Sequence, residues 1–546
     1  EEAGGDPVYF DVFGRVLVWY PHSLVRPLHI SIALSALYWA SRGTGGLGAN
    51  PRVWTGALLN SLGSLLLPLL SAVTLAAALS SVNAMTWRSD SRLLLVTYLP
   101  AALASALIAP LRAKGGWERV AKGRVALLAL LLALLAGLGV RSAYVIAVWL
   151  ASAMAAAGIA RIFGLAGTAR ALAVLVCGSA LPFAYTVQVA NTTLLIFIPV
   201  MGRSGSNLNP DVFLSILIGL FSSLSLFLPL SLLAPSSSAS SDKAANKATN
   251  KAAHKAANEA TNDVSGMPAG AVACVRLTGW LLGACAIASA YMVSQREPYS
   301  SERPKQMFVQ HFRRRLHSAD GAVKEETGLL INAMDYKQLA PVNALPSQRF
   351  KDVTPYWCES LACQMPCWFP LASELHGAWV LPAAAPPIPQ TLELSATFSH
   401  VTSPNDQGVT SPKAPALRRV HVTVLGPAYK GAVLEDPDRR IEGWSYAPQV
   451  EASVRHSAEH KHSLFLFHAE GGASPDPRNW SFWIDVRGPA LIEVSIWGHH
   501  LSWRDETGGR DDSGCGFSRD ATSFKRALPE HMAPICFYDD LVTYPV

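Results

Sequence analysis

His456, Glu459 and His460 form the spacing in this 546-residue chain that comes nearest to hydrolytic chemistry. A His-x-x-Glu-His string on one helical turn would aim two imidazoles at a zinc ion and a carboxylate at the water it activates. The surroundings do not suit it. Residues 463–468 alternate as a strand, Lys461 would set a positive charge beside the metal, and no helix signal flanks the motif. A solvated, His-rich strand end is the expected reading, and His499 and His500 are read the same way.

Cys358, Cys363 and Cys367 are spaced with gaps of four and three residues and have no second pair to complete a zinc site. Disulfides are expected instead, with Cys358, Cys367, Cys515 and Cys536 as the candidates and one of the five late cysteines left odd. Asn479-Trp480-Ser481 is a glycosylation sequon. Asn191-Thr192-Thr193 is another, but it lies inside an apolar run.

Two solvents must be involved in holding these residues. Before residue 294 the chain carries 20 basic and 10 acidic residues, and the only acidic residues between Val12 and Ser241 are Asp90, Glu118 and Asp211. After it come 25 of the 45 Lys and Arg and 29 of the 39 Asp and Glu. A basic excess beside apolar runs is the flank of a membrane protein. No basic cluster is interleaved with stacking aromatics, so nucleic acid is not an expected partner.

A bilayer core of about 30 Å needs about 20 apolar residues in a helix. Eight runs approach that length, at 24–40, 56–79, 93–110, 125–140, 142–160, 171–200, 212–234 and 277–293. Arg141 leaves almost no loop between the fourth and fifth, which predicts a tight helical hairpin. The spans hold almost no ionisable groups, which argues against ion-coupled transport. Arg203 and Asp211 bracket the loop before the seventh run, read as a turn with a helix cap and alternatively as an anion contact through Arg203.

Loops alternate in charge, 14 Lys and Arg on one set and six on the other. The richer set is expected in the cytosol, which puts a lead at 1–23 and a tail at 295–546 in the lumen. The span region at 24–294 contains an insert at 235–266 with a four-residue Lys-Ala repeat, whose period drifts around a helix and forms no single face. It reads as a solvated cytosolic linker. Short alternating segments at 418–425, 463–468, 481–486 and 491–497 predict an all-β, sandwich-like tail. Glu1 to Asp6 is acidic, unlike a cleavable signal, so either the first span is a reverse anchor or, as the favoured expectation, an insertion signal lies upstream of Glu1.

Several strings fall together in a familiar order. They are Val8-Tyr-Phe-Asp-Val12, Gly202-Arg-Ser-Gly-Ser206 with Pro210-Asp211-Val212, Pro298-Tyr-Ser300, Arg303-Pro-Lys305, Phe308-Val-Gln-His311 and Leu316-His317. Gly328-Leu-Leu-Ile-Asn332 with Asp335-Tyr336, Cys358-Glu359, Cys367, Phe369-Pro370, Ser481-Phe-Trp-Ile-Asp-Val486 and His500-Leu-Ser502 continue it. Over nearly its whole length the chain resembles the endoplasmic reticulum metallopeptidase family. The insert and Cys363 depart from the family's pattern.

The resemblance implies an aminopeptidase-type zinc enzyme with a lumenal peptidase domain, a multi-span region and a lumenal C-terminal domain. It implies that the metal ligands and general base lie before Glu1, so no catalytic or metal residue is expected here and zinc belongs to the upstream peptidase domain. The expected role is membrane anchor and accessory portion of an endoplasmic reticulum zinc metallopeptidase. Its expected partners are the lipid bilayer, that upstream domain and other lumenal proteins. The alternative is a non-enzymatic membrane scaffold or transporter-like protein.

Overall fold

The computed structural model describes residues 8–12, 15–42, 50–112, 117–163, 167–203, 205, 208–227, 269–333, 335–339, 354–355, 378–386, 388, 391–400, 417–436, 438, 440–446, 463–469, 478–489 and 491–545. Two units emerge. One comprises Glu1–Gly202 and Asn209–Pro298, the other Arg203–Leu208 and Tyr299–Val546.

The first unit opens with a hairpin, β1 (Val8–Val12) and β2 (Val16–Tyr20), then turns helical. Its long helices are α1 (His22–Ser41), α2 (Pro51–Asn83), α3 (Arg92–Ile108), α4 (Trp117–Gly137), α5 (Tyr144–Ile162), α6 (Gly167–Met201), α7 (Pro210–Phe227) and α8 (Ala269–Ser294). Each of the eight apolar runs therefore meets a helix.

Only three stretches among the described residues are long and apolar enough to cross a membrane: Pro51–Asn83, Gly178–Met201 and Val272–Ser294. The expectation of eight spans is thus met at the level of helices and not of spans. Arg92–Ile108, Tyr144–Ala156 and Pro210–Ser225 are apolar but fall short of a bilayer core at 1.5 Å per residue. Arg26 interrupts the apolar run of α1, and Glu118, Arg119, Lys122 and Arg124 open α4.

Burial in α2 is inverted relative to a water-soluble helix. Ala57, Ser61, Ser64, Pro68, Ala72 and Ala76 face inward at helical spacing, while Leu59, Leu62, Leu66, Leu67 and Leu70 face outward. Water would reverse that order, whereas hydrocarbon tolerates outward leucines and lets small residues bring helices close. Ala33 and Ala36 of α1 likewise admit Val125, Leu128 and Leu132 of α4 and Ile146, Trp149 and Leu150 of α5. Lys122 Nζ closes the C-terminus of α1 by donating to the carbonyls of Trp39 at 3.0 Å and Arg42 at 3.4 Å.

The tight hairpin between α4 and α5 is present. Gly139 takes φ +73° and Val140 N–H bonds back to Leu135 O, a Schellman ending that only a residue free of Cβ adopts without strain.

The second unit is sheet-rich. Its strands are β3 (Lys305–His317), β4 (Val323–Asn332), β5 (Thr354–Pro355), β6 (Trp379–Leu381), β7 (Glu393–His400), β8 (Leu417–Gly426), β9 (Tyr429–Glu435), β10 (Ile441–Trp444), β11 (Ser463–Ala469), β12 (Arg478–Arg487), β13 (Glu493–His500) and β14 (Met532–Pro545). They form an eight-stranded sheet, β11-β9-β13-β14-β3-β4-β6-β5, and a four-stranded sheet, β10-β12-β8-β7. Val420, Val422, Val424, Phe482 and Ile484 of the smaller sheet share one core with Ala432, Leu434, Val494, Ile496 and Val542 of the larger. Alternate residues of each strand enter that layer, as a sandwich requires.

The unit is not all-β. A nine-residue helix, α9 (Arg519–Ala527), buries Ala521 and Phe524 against Met307, Val309, Leu329 and Ile331. Its i, i+3 apolar pair is carried on an otherwise polar surface, too short a pattern to stand out along the sequence.

Candidate functional site

His456, Glu459 and His460 lie outside the described residues, as do Cys358, Cys363, Cys367, Cys515 and the whole of the 235–266 insert. Among the described residues no group of three or more His, Cys, Asp or Glu is placed to hold a metal ion. Cys536 is buried on β14 and is not without a partner. Cys274 and Cys285 on α8 are free and exposed. Asn479 opens β12 with an exposed side chain, and Ser481 of the same sequon is exposed on the same face.

His499 and His500 end β13, as strand-end residues should. Their setting is richer than the sequence suggests. β13 pairs His499 with Asp539 of β14, and His499 Nδ1 makes a short hydrogen bond to Asp539 Oδ1 with both side chains buried. Burial pushes the Asp539 carboxyl up, the neighbouring Asp540 pushes the same way, and His499 pulls it down. An imidazole–carboxylate pair is half of a hydrolytic apparatus whose other half is a nucleophile or a metal. The described groups place no metal set around it.

Asp540 points to the opposite face of β14. Its carboxylate accepts from Arg313 Nε at 3.2 Å, Arg315 Nη2 at 2.8 Å and Leu392 N–H at 2.8 Å. Two guanidinium groups and a backbone donor balance one buried charge, and the bond to Leu392 ties the segment entering β7 to the larger sheet. A second buried pair sits at the start of β3, where Lys305 Nζ lies 2.7 Å from both oxygens of Asp335 and Tyr299 donates to the same carboxylate at 2.9 Å. These groups fasten the fold.

Among its described residues the helical unit holds one fully buried carboxylate, Asp211. The turn with a cap is present, but Asn209 supplies the cap, its Oδ1 accepting from Asp211 N–H at 3.1 Å and Val212 N–H at 3.3 Å. Asp211 is thereby released to face inward, accepting from Tyr98 Oη at 2.9 Å and Met85 N–H at 2.8 Å. Arg203, the candidate anion contact, donates to Gln306 Oε1 at 3.3 Å. Sequence reasoning missed the inward carboxylate and the His499–Asp539 pair. Asp539-Asp540 inside an apolar strand was the available signal for the latter.

A helical unit dressed for lipid and followed by a sheet-rich unit defines a membrane-anchored protein with a folded domain attached. Residues 120–239 match the family described as endoplasmic reticulum metallopeptidase 1, TM domain, and residues 302–515 match its C-terminal domain. Endoplasmic reticulum metallopeptidase 1 of Homo sapiens is 25% identical over 389 residues, covering 67% of this chain and 35% of that protein. The Mus musculus protein of the same name is 23% identical over 362 residues, covering 63% of the chain and 34% of that protein. The match thus spans about a third of the length of these relatives. The chain belongs to the endoplasmic reticulum metallopeptidase family.

Proposed function

We propose that these residues form the membrane anchor and accessory lumenal portion of a zinc metallopeptidase of the endoplasmic reticulum. The observation that carries this reading is the succession of two family domains along one chain, the TM domain and then the C-terminal domain. In this reading all eight helices cross the bilayer, shorter ones being extended by neighbouring residues. The lysine- and arginine-rich loops stay in the cytosol, and the sheet-rich unit lies in the lumen. Zinc is held by a peptidase domain outside the residues described, and that domain is the nearest partner of the accessory unit. The lumen also accounts for the exposed sequon at Asn479 and for a partner at Cys536, which we read as one of the other late cysteines.

Two measurements test it. Peptidase activity of the full-length gene product is expected to vanish when a chelator removes zinc and to return when zinc is restored. An intact protein without chelator-sensitive hydrolysis would favour the scaffold alternative. In sealed microsomes, Asn479→Gln is expected to remove a glycosidase-sensitive mass and the tail to resist added protease. Cleavage of the tail from the cytosolic side would overturn the orientation.

A further inference from the structure

The hairpin ahead of α1 turns two apolar side chains, Leu17 and Trp19, outward. Tyr9 pairs with Trp19 and Asp11 with Leu17 across β1 and β2. Successive strand residues point to opposite faces, so Val18 and Tyr20 share one face, and Leu17 and Trp19 the other. Tyr20 is anchored, its hydroxyl lying 3.0 Å from His29 Nε2 with the two rings edge to face. That contact, two turns into α1, fastens the even-numbered face to the helices.

On the odd-numbered face Leu17 and Trp19 stay open. Leu17 is 63% and Trp19 66% exposed, and Arg15 at the hairpin turn is exposed beside them. Five residues beyond Trp19 the outward surface of α1 begins with Leu24 and runs on through Leu28 and Leu34. The open hairpin face and the outward face of the first apolar helix therefore follow one another along the chain. Indole and leucine just outside an apolar run, with guanidinium groups at Arg15 and Arg26, match the chemistry of a bilayer boundary. There an indole sits at headgroup depth and an arginine reaches the phosphates.

We propose that this hairpin is an interfacial foot, lying on the membrane beside α1 with Leu17 and Trp19 in the headgroup and upper acyl region. The inference rests on the helical unit being embedded in lipid. Its occupant is the lipid surface, and it makes the segment before α1 part of the anchor.

Tryptophan quenching in the whole chain, reconstituted into phosphatidylcholine vesicles, tests it. The chain has 15 tryptophans, so the readout is the emission lost between the chain and Trp19→Phe. That difference is expected to be quenched by lipids brominated near the carbonyl end of the acyl chain and to be protected from aqueous iodide. Quenching by iodide alone would place the hairpin in water. Protection from both quenchers would place protein over it. Either result overturns the proposal.

Trp280 on α8, 69% exposed and about 16 Å into its helix, separates this proposal from the reading it rests on. The emission lost in Trp280→Phe is expected to be quenched by bromines deep in the acyl chain. Deep quenching of Trp280 without interfacial quenching of Trp19 sinks the foot and leaves the anchor standing. Iodide access to Trp280 sinks both.

Discussion

Tyr98 donates its phenolic hydrogen to Asp211 at 2.9 Å, joining α3 to the first turn of α7 across 113 residues of chain. The second oxygen of the carboxylate accepts Met85 N–H at 2.8 Å, and Met85 stands at φ +63°. A left-handed non-glycine residue costs about 1–2 kcal/mol, which this bond helps offset. Asp211→Ala leaves two donors without their acceptor in a buried setting. The expected loss is about 2–5 kcal/mol, against about 1–3 kcal/mol for Tyr98→Phe. A double-mutant cycle in detergent, read by thermal unfolding, should show coupling of about 0.5–3 kcal/mol. Strictly additive losses would show that the bond contributes nothing.

Lys305 and Asp335 form an ion pair with almost no exposure, and Tyr299 donates to it as well. Removing one partner strands a buried charge. Asp335→Leu alone is expected to cost about 3–5 kcal/mol, while the double replacement with Lys305→Met should recover much of that loss. Chemical denaturation followed through the sheet signal measures both. A double variant no better than the single one would show that the pair stabilises through its charge.

Gly431 lies directly across from Trp497, and a Cβ built on it would come within 2.0 Å of the indole ring. The glycine allows the ring to lie flat over the neighbouring strand, where Val433 and Leu541 complete its contacts. Gly431→Val should expel Trp497 at a cost of several kcal/mol, with a red shift in emission and faster proteolysis of the sheet-rich unit. Unchanged emission would mean that the strands separate instead.

Glu493 and Glu435 are register partners on β13 and β9. Burial raises the Glu493 carboxyl above its ordinary range of about 4.3, and the like charge of Glu435 raises it further. A raised folded-state value means that the folded chain holds its proton more tightly than the unfolded one. The pair's stabilising effect is therefore present below about pH 4.3 and lost as pH climbs through the folded value. At neutral pH Glu435→Gln should raise the melting temperature, and the gain should shrink on acidification below that range. A gain independent of pH would assign the effect to packing.

The helices were legible because hydrocarbon demands long uncharged runs, and 56–79 lies within α2 just as 277–293 lies within α8. The segments 418–425, 463–468 and 481–486 fall inside β8, β11 and β12 because inward apolar and outward polar residues alternate there. β3 was not legible. Arg313-Arg314-Arg315 breaks the apolar alternation of a strand, and its charges are met only by Asp540 and Glu326 on neighbouring strands. Local pattern carries no record of a partner that distant, which is also why the His499–Asp539 pair escaped notice. The same limit applies to Asp211, whose acceptor role depends on two loops meeting in the folded bundle.

The parallel pairing of β14 with β3 gives the sheet-rich unit a long wait during synthesis. Arg313 and the Asp540 that neutralises it are 227 residues apart. A ribosome adding about 5–20 residues each second needs roughly 10–45 seconds to cover that distance. Throughout that interval one edge of β3 presents bare amides and carbonyls beside two uncompensated arginines, Arg313 and Arg315. A nascent chain in that condition invites chaperones and mispairing alike, and a premature stop anywhere before Met532 would make the condition permanent.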